Sequence, residues 1–421
     1  MKRVLMAGVL ATGLVGIVAC NSDSGSGATG TTASGSTNSG GSGSVNTGST
    51  NGLSAATLAL GIKGVPDSLS ATYSAALKFN RYTQVKAANG KSIHIIAQDK
   101  LSDNQIVRAR SILTHYLTDL PGSVYGSDKS AVANKMADNG AVLLLLNGSD
   151  DGSNPATNLG GQPLYQNEIQ VEGGDWYINQ SYDGHRDASF EEILHLVHDY
   201  GIGVDQNSRF IGALADYQAE IRSAQITALN DKLWGFASPD WIAELTTENS
   251  LSQEYLAAVI DSYYGLWGAW SGSQTHGMWG EYVAKSRSEI GSEDPLGAEL
   301  MNNKFFHPYL TYNARIDESF SGDFSLKFKP ELSYTHHSRY LKDVTLTGSL
   351  SSNVVVNQLD NLIKGNSGNN IVFFSGSSSQ YTVEKLEDGS ILVTDMEDGR
   401  DGINKLIDIE SVAFTDSTIT L

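Results

Sequence analysis

Upstream of about residue 335, apolar and polar positions follow first the period of strands and then that of helices. Ser92-Ile93-His94-Ile95-Ile96-Ala97 predicts a strand, and residues 103–119 carry apolar side chains at helical spacing. The run from Leu143 to Leu146 predicts a second, buried strand. Residues 168–178, with Gly173-Gly174 at their centre, predict a hairpin. These segments together predict a sheet.

The pattern then becomes helical over residues 188–200, 210–228 and 253–266. A sheet followed by helices predicts an α+β domain, which we place at residues 53–335. Five tryptophans fall within this helical part, and we interpret them mainly as core residues.

The last part of the chain, residues 336–421, predicts an all-β module. An asparagine precedes an apolar pair at Asn353, Asn361 and Asn370, with spacings of eight and nine residues. A short repeat of this period is typical of a parallel β-roll.

Within that module, Gly365-Asn366-Ser367-Gly368-Asn369-Asn370-Ile371 resembles the hemolysin-type nonapeptide repeat G-G-x-G-x-D-x-U-x. The resemblance implies a calcium-binding β-roll, with a β-rich closing segment after Tyr381. However, Asn370 replaces the calcium-binding aspartate and Asn366 replaces a glycine, which makes calcium binding there doubtful.

The N-terminus has the organisation of an export signal. Lys2 and Arg3 precede a short apolar run that ends at Ala19, too short to remain as a spanning helix. Cys20 follows, and it is the one cysteine of the chain, so it has no disulfide partner. Residues 20–52 are mostly Gly, Ser, Thr and Asn, a composition typical of a flexible tether.

Ile17-Val18-Ala19-Cys20 resembles the lipobox of bacterial lipoproteins. The resemblance implies removal of residues 1–19 as a signal peptide and acylation of Cys20, which would anchor the protein to a lipid bilayer. Asn21, in place of the aspartate associated with inner-membrane retention, favours the outer membrane, facing the periplasm or the cell surface.

Charge excludes one class of partner. The formal net charge is −19, and removal of Lys2 and Arg3 with the signal would make it −21. A nucleic-acid-binding protein neutralises phosphates with clustered Lys and Arg, so nucleic acid is not an expected partner.

The segment from Ala188 to Gly201 contains the strongest candidate for chemistry. On a helical wheel, its acidic and histidine side chains lie within about a third of a turn, opposite an apolar face. Ser189 is the predicted N-cap, and Gly201 is the predicted stop. Histidines next to carboxylates are typical of metal sites. The ionisable side chains of this face are Glu191, Glu192, His195, His198 and Asp199.

Glu191-Glu192-Ile193-Leu194-His195 resembles the H-E-x-x-H helix of the zincin metallopeptidases, with glutamate in place of the first histidine. The resemblance implies a zincin-like mixed sheet, zinc bound by Glu191 and His195, and Glu192 as the general base. A second frame, in which His195 and His198 form the metal-binding pair, remains open.

Further residues would complete such a site. In glutamate-type zincins the third ligand comes from a later helix, and Asp216 and Glu220 lie 21 and 25 residues after His195. We expect Glu220 to be the ligand, and we consider His276 as a stabiliser of the oxyanion.

Two functions follow as expectations. The first is a lipid-anchored, zinc-dependent hydrolase that acts on peptides or proteins. The second is a non-catalytic surface lipoprotein for adhesion or binding, in which the zincin-like helix is inactive.

Overall fold

The computed structural model describes residues 52–179, 187–204 and 211–421. The fold is α+β, as predicted, with a strand-rich C-terminal region. No helix of these described ranges is long and apolar enough to span a membrane. Cys20 and the rest of the predicted signal and tether up to residue 51 lie outside the described residues, so processing and lipidation stay predictions.

The helices of the described residues are α1 (Ala55–Ala59), α2 (Asp67–Ser70), α3 (Asp103–Leu117), α4 (Ser130–Asp138), α5 (Asp175–Ile178), α6 (Ser189–Val197), α7 (Ala215–Asn230), α8 (Pro239–Glu248), α9 (Leu251–Tyr263), α10 (Arg287–Glu293), α11 (Pro295–Met301) and α12 (Thr335–Ser338). The strands are β1 (Phe79–Lys86), β2 (Ser92–Gln98), β3 (Val142–Leu146), β4 (Gln162–Tyr165), β5 (Leu310–Ile316), β6 (Gly322–Ser325), β7 (Leu341–Leu346), β8 (Ser352–Val355), β9 (Leu362–Lys364), β10 (Ile371–Phe373), β11 (Tyr381–Lys385), β12 (Ile391–Asp395), β13 (Ile403–Ile407), β14 (Ser411–Ala413) and β15 (Thr418–Thr420).

The first sheet is mixed and has the order β1-β2-β3-β4. β1 pairs antiparallel with β2, whereas β3 runs parallel to both β2 and β4. Every residue of β3 is buried because one face of the sheet packs on the main helical core and the other on a smaller apolar cluster that includes Tyr73 and Phe79. This two-sided burial explains the continuous apolar run from Val142 to Leu146.

Strands β5 to β10 alternate between two further sheets. β5, β7, β9 and β13 lie parallel in one sheet, and β6, β8, β10 and β14 lie parallel in the other. Val354 pairs with Val372, 18 residues later, so two nine-residue repeats make one coil. The parallel β arrangement predicted from the asparagine spacing is therefore present, and its first strands, β5 and β6, precede residue 336.

The hairpin predicted over residues 168–178 is absent: a 3₁₀ turn covers Gln166–Glu168, and residues 169–171 form no strand. Residues 175–178 form the short helix α5, not the second strand of a hairpin. The side chains of Trp176 and Tyr177 are buried in the main core, and two adjacent inward-facing aromatics suit a helical turn better than the alternation of a strand.

The start of α6 is fixed by a buried ion cluster. Asp187 Oδ1 accepts a hydrogen bond from the Ser189 N–H at 3.1 Å, so Asp187 does what was predicted for Ser189. The Arg108 guanidinium contacts Asp187 Oδ2 at 2.6 Å and Glu172 Oε2 at 3.0 Å. Burial alone would raise the pKa of Glu172, but the charge of Arg108 and contacts with His337 and Tyr312 lower it to about 2.

The end of α6 also differs from the prediction. The helix continues into a π-helical turn at His198–Ile202, so Gly201 lies inside the helical segment. Gly203, at φ 107°, ends it. A Cβ atom at Gly212 would lie 2.2 Å from the Cα atom of Gly203, so this close crossing of two chain segments requires glycine.

Arg108→Met should destabilise the protein strongly. The substitution leaves two buried carboxylates without their cation, and removal of one partner of a buried ion pair typically costs about 3–5 kcal/mol. Urea unfolding followed by circular dichroism measures the change. Lys91→Met removes a mostly exposed ion pair with Asp138 and should cost less than about 1 kcal/mol. Equal effects of the two variants would contradict this account of the ion cluster.

Candidate metal centre

Three side chains of the described residues form a group that could hold a metal ion. Glu191 and His195 lie on α6, and Glu254 lies in the first turn of α9. One ligand atom from each residue lies within 4.8 Å of the others. Glu191 and His195 share one face of α6 because they are four residues apart.

The two nitrogens of His195 face different carboxylates. Nε2 lies 3.7 Å from Glu254 Oε1, and Nδ1 lies 3.6 Å from Glu192 Oε2. Glu191 and His195 are buried, with 5% and 8% of their surface exposed, while Glu254 is partly exposed. The group therefore lies at the edge of the core.

The donor set fits a divalent cation such as zinc. Ligands about 2.0–2.1 Å from a tetrahedral zinc are roughly 3.3 Å apart, close to the distance between His195 Nε2 and Glu254 Oε1. The greater spread of the whole group, up to 4.8 Å, requires a small contraction. Two carboxylates can also neutralise the charge of a divalent ion.

Glu192 is held beside this group by the edge strand of the first sheet. Gln162, the first residue of β4, donates from Nε2 to Glu192 Oε2 at 2.7 Å. The side chain of Glu192 is 20% exposed. One carboxylate oxygen is thus engaged by Gln162 and His195, and the carboxylate remains accessible to water.

The surroundings of the group are acidic on two sides. Burial raises the pKa of Glu248 on α8, and the carboxylates of Glu244 and Glu254 raise it further. Burial also raises the pKa of Asp150, with a contribution from Glu192, although a hydrogen bond with Tyr165 acts in the opposite direction. Such a negative environment attracts cations.

Glu220 is not part of the metal-binding group, so this predicted ligand is corrected. Its Oε1 accepts a hydrogen bond from the Tyr125 hydroxyl at 2.8 Å, and its Oε2 lies 2.9 Å from Lys304 Nζ. The carboxylate of Glu220 therefore pairs with Lys304 and Tyr125 and lies apart from the metal-binding group.

His198 also lies outside the group. Its side chain is fully buried, and its Nε2 lies 2.5 Å from Gln218 Oε1. The frame that pairs His195 with His198 as ligands is therefore not the one assembled here. His276 lies in the loop before residues 278–280, where its ring contacts Thr275 and Phe236, and no contact among the described residues joins it to Glu191, His195 or Glu254.

Glu254 was not among the ligands predicted from the sequence. It lies 59 residues after His195, beyond the distance at which we expected a third ligand. The sequence signal is an acid within a mostly apolar helix, and the structure buries that helix from Ser252 and Gln253 through Tyr255 to Ser262. A carboxylate within such a helix requires a partner.

At the repeat that resembles the hemolysin type, the side chain of Asn370 is engaged in hydrogen bonds. Asn370 is fully buried, and its Nδ2 donates to Ser352 O at 2.8 Å and to Asn366 Oδ1 at 3.0 Å. Its Oδ1 accepts from the Asn366 N–H at 2.8 Å. Asn361 and Asn357 repeat the same pairing at 3.0 Å, nine residues earlier. Amide donors therefore occupy positions where a cation would need oxygen ligands.

The fold and this group together define an α+β protein with a candidate metal centre between two helices. Comparison with known proteins adds no family, because no protein-family model matches the chain and no curated protein matches it significantly.

Calcium should leave the thermal stability of the purified protein unchanged, because the side chains of Asn366 and Asn370 hydrogen-bond each other without a cation. Millimolar calcium added to the desalted chain should not shift the melting temperature in scanning calorimetry. Asn370→Asp should cost about 1–3 kcal/mol, since a carboxylate cannot donate to Ser352 O or Asn366 Oδ1. A clear rise in the melting temperature of the wild type with calcium would show that the protein binds calcium and would contradict this prediction.

Proposed function

We propose that the protein is a zinc-dependent hydrolase with peptidase-like chemistry, in which Glu191, His195 and Glu254 bind the metal. The observation that carries the proposal is the convergence of these side chains from two helices within 4.8 Å. The resemblance of Glu191 to His195 to a zincin helix supports the same assignment for two of the ligands. An imidazole and carboxylates, with no thiolate, suit zinc in an exported protein that has one cysteine in all.

When bound, a zinc ion supplies Lewis acidity, which polarises a carbonyl group and lowers the pKa of a water molecule. The residues of the chain then have separate tasks. Glu191 and Glu254 provide two negative charges, and His195 provides a neutral nitrogen. Glu192 accepts the proton of the attacking water, with Gln162 holding its Oε2 so that Oε1 can turn toward solvent.

A peptide is the substrate class that the neighbourhood supports best. β4 lies at the edge of the first sheet. A hydrogen bond from Gln162 links this strand to α6, the helix that carries two of the candidate ligands. An extended peptide can pair with such an edge and place its carbonyl groups along the strand. The acidic side chains around the group favour substrates that carry positive charge.

The location proposed for this activity rests on the N-terminal sequence alone. A lipid on Cys20 and a tether up to residue 52 would hold the domain outside the cytoplasm, at a bilayer surface. Substrates would then be periplasmic or surface proteins and peptides.

The purified protein should contain about one zinc ion per chain, and Glu254→Gln should lower this content severely because an amide is a poor zinc ligand. Glu220→Gln is the matched control, since Glu220 lies on the neighbouring helix α7 and pairs with Lys304. It should leave the zinc content unchanged. Metal analysis by mass spectrometry measures both, with manganese and iron determined in the same samples.

The proposal fails if the wild type neither contains nor takes up zinc. Loss of zinc from Glu220→Gln, with retention in Glu254→Gln, would instead restore the ligand set expected from the sequence. If the protein instead contains about one manganese or iron ion per chain, the metal site is retained but the assignment of zinc is wrong.

Glu192→Gln should abolish hydrolysis of a peptide library while zinc stays bound, because the amide cannot accept the proton of the attacking water. The expected loss is about 10²-fold or more in kcat. Glu299→Gln, an exposed residue of α11, serves as the control and should retain full activity. Turnover and zinc content are measured on the same preparations; undiminished turnover of Glu192→Gln would reassign the base.

A further inference from the structure

The candidate ligands lie on two helices, so their separation depends on what holds α6 and α9 together. Part of that contact is polar. His198 at the end of α6, Gln218 on α7 and Ser252 on α9 form a continuous hydrogen-bonded chain, which we call the buried polar bridge. We propose that Gln218 is a positioning residue for the metal centre and that the bridge sets the distance between His195 and Glu254.

The hydrogen bonds of the bridge have a defined direction. Gln218 Nε2 can only donate, and it lies 3.2 Å from Ser252 Oγ. Gln218 Oε1 must therefore accept, and the atom 2.5 Å away is His198 Nε2. His198 consequently carries its proton on Nε2. The side-chain amide of Gln218 thus contacts His198 at the end of α6 through its oxygen and Ser252 on α9 through its nitrogen.

The bridge is buried throughout, which makes it stiff. The exposed fractions are 0% for His198, 3% for Gln218 and 1% for Ser252. A buried polar atom that loses its partner costs about 1–3 kcal/mol, because no water can replace the lost bond. Directional hydrogen bonds therefore hold helices α6, α7 and α9 in one arrangement. Apolar packing alone is non-directional and tolerates small sliding.

The ends of the bridge lie close to the candidate ligands. His198 follows His195 by three residues, and Ser252 precedes Glu254 by two residues. At 1.5 Å of rise per residue, each end lies only about 3–4.5 Å along the helix from a ligand. His198 is fully buried and is the first residue of the π-helical turn. A shift at either end would move a ligand by a similar distance.

This inference rests on the proposed metal site, and it assigns His198 a role other than ligation. Residues that orient metal ligands from outside the coordination shell typically change metal affinity 10–100-fold when substituted. An ordinary core residue would instead lower stability without a selective effect on the metal.

Gln218→Met and Gln225→Met are a matched pair for the test. Both glutamines lie on α7, seven residues apart, and both are buried, with 3% and 1% exposed. No hydrogen bond among the described residues links the Gln225 side chain to α6 or α9. Ser252→Ala is a second, smaller change that breaks the other end of the bridge.

The measurements are the zinc Kd, by competition with a chromophoric chelator, the melting temperature, and the visible spectrum of the cobalt(II)-loaded full chain. Gln218→Met should weaken zinc binding about tenfold or more and alter the cobalt spectrum. Ser252→Ala should change both in the same direction, and Gln225→Met should keep the wild-type Kd and spectrum even if it melts earlier.

Wild-type Kd and spectrum in both Gln218→Met and Ser252→Ala would overturn the inference and leave the metal site standing. Equal weakening by Gln225→Met would also overturn it, since the effect would then be general to α7. A wild type that binds no zinc would refute the metal site itself and the inference with it, and this result is read before any variant is compared.

Discussion

The buried Arg108 guanidinium is the constraint on which the arrangement of the site depends. It lies on α3 and bridges Glu172 and Asp187, and Asp187 in turn caps α6. The Tyr312 hydroxyl of β5 donates to Glu172 at 2.7 Å, so the same cluster joins the strand-rich region to the helices. A cluster of buried charges tolerates few alternative arrangements, because any displaced carboxylate would lose its cation in a region without water.

With its first turn fixed, α6 presents its two sides to different surroundings. Its apolar residues, including Phe190, Leu194 and Val197, are fully buried in the main core. The opposite side carries Glu191 and His195 toward α9. The group is thus preorganised by packing that has nothing to do with metal, and the cost of bringing two carboxylates near one imidazole is met by the folding of the core.

The sequence predicted local features well and distant pairings poorly. Glu191 and His195 were identified because helical periodicity places residues four apart on one face, a relation that needs no knowledge of the fold. Glu254 and Glu220 are both acids on later helices, and periodicity cannot decide which of them faces α6. That choice depends on the packing of α7 and α9, where Lys304 and Tyr125 engage Glu220.

The errors at the ends of elements have a common origin. Ser189 and Gly201 have the residue types of a cap and a stop, but Asp187 and Gly203 perform those tasks. Several residues near a helix end can satisfy the same backbone groups, and tertiary contacts select among them. The hairpin expected near Gly173 failed similarly, since the glycine turn is real but Trp176 enters the core from a helical turn.

Two departures from the families that the sequence resembles change charge in opposite directions. In the C-terminal coils, asparagines stand where a calcium-binding repeat has aspartate. Asn370 bonds Asn366 within one loop and donates to Ser352 O of the neighbouring coil. In α6, Glu191 stands where a zincin has histidine and adds a negative charge beside Glu254. The amides of Asn366 and Asn370 bond each other directly, whereas the group on α6 and α9 brings carboxylates and an imidazole together at metal-binding distances. Cation dependence should therefore be concentrated at the α6 and α9 pair, and a site rich in carboxylates binds its ion through charge neutralisation as much as through ligand softness.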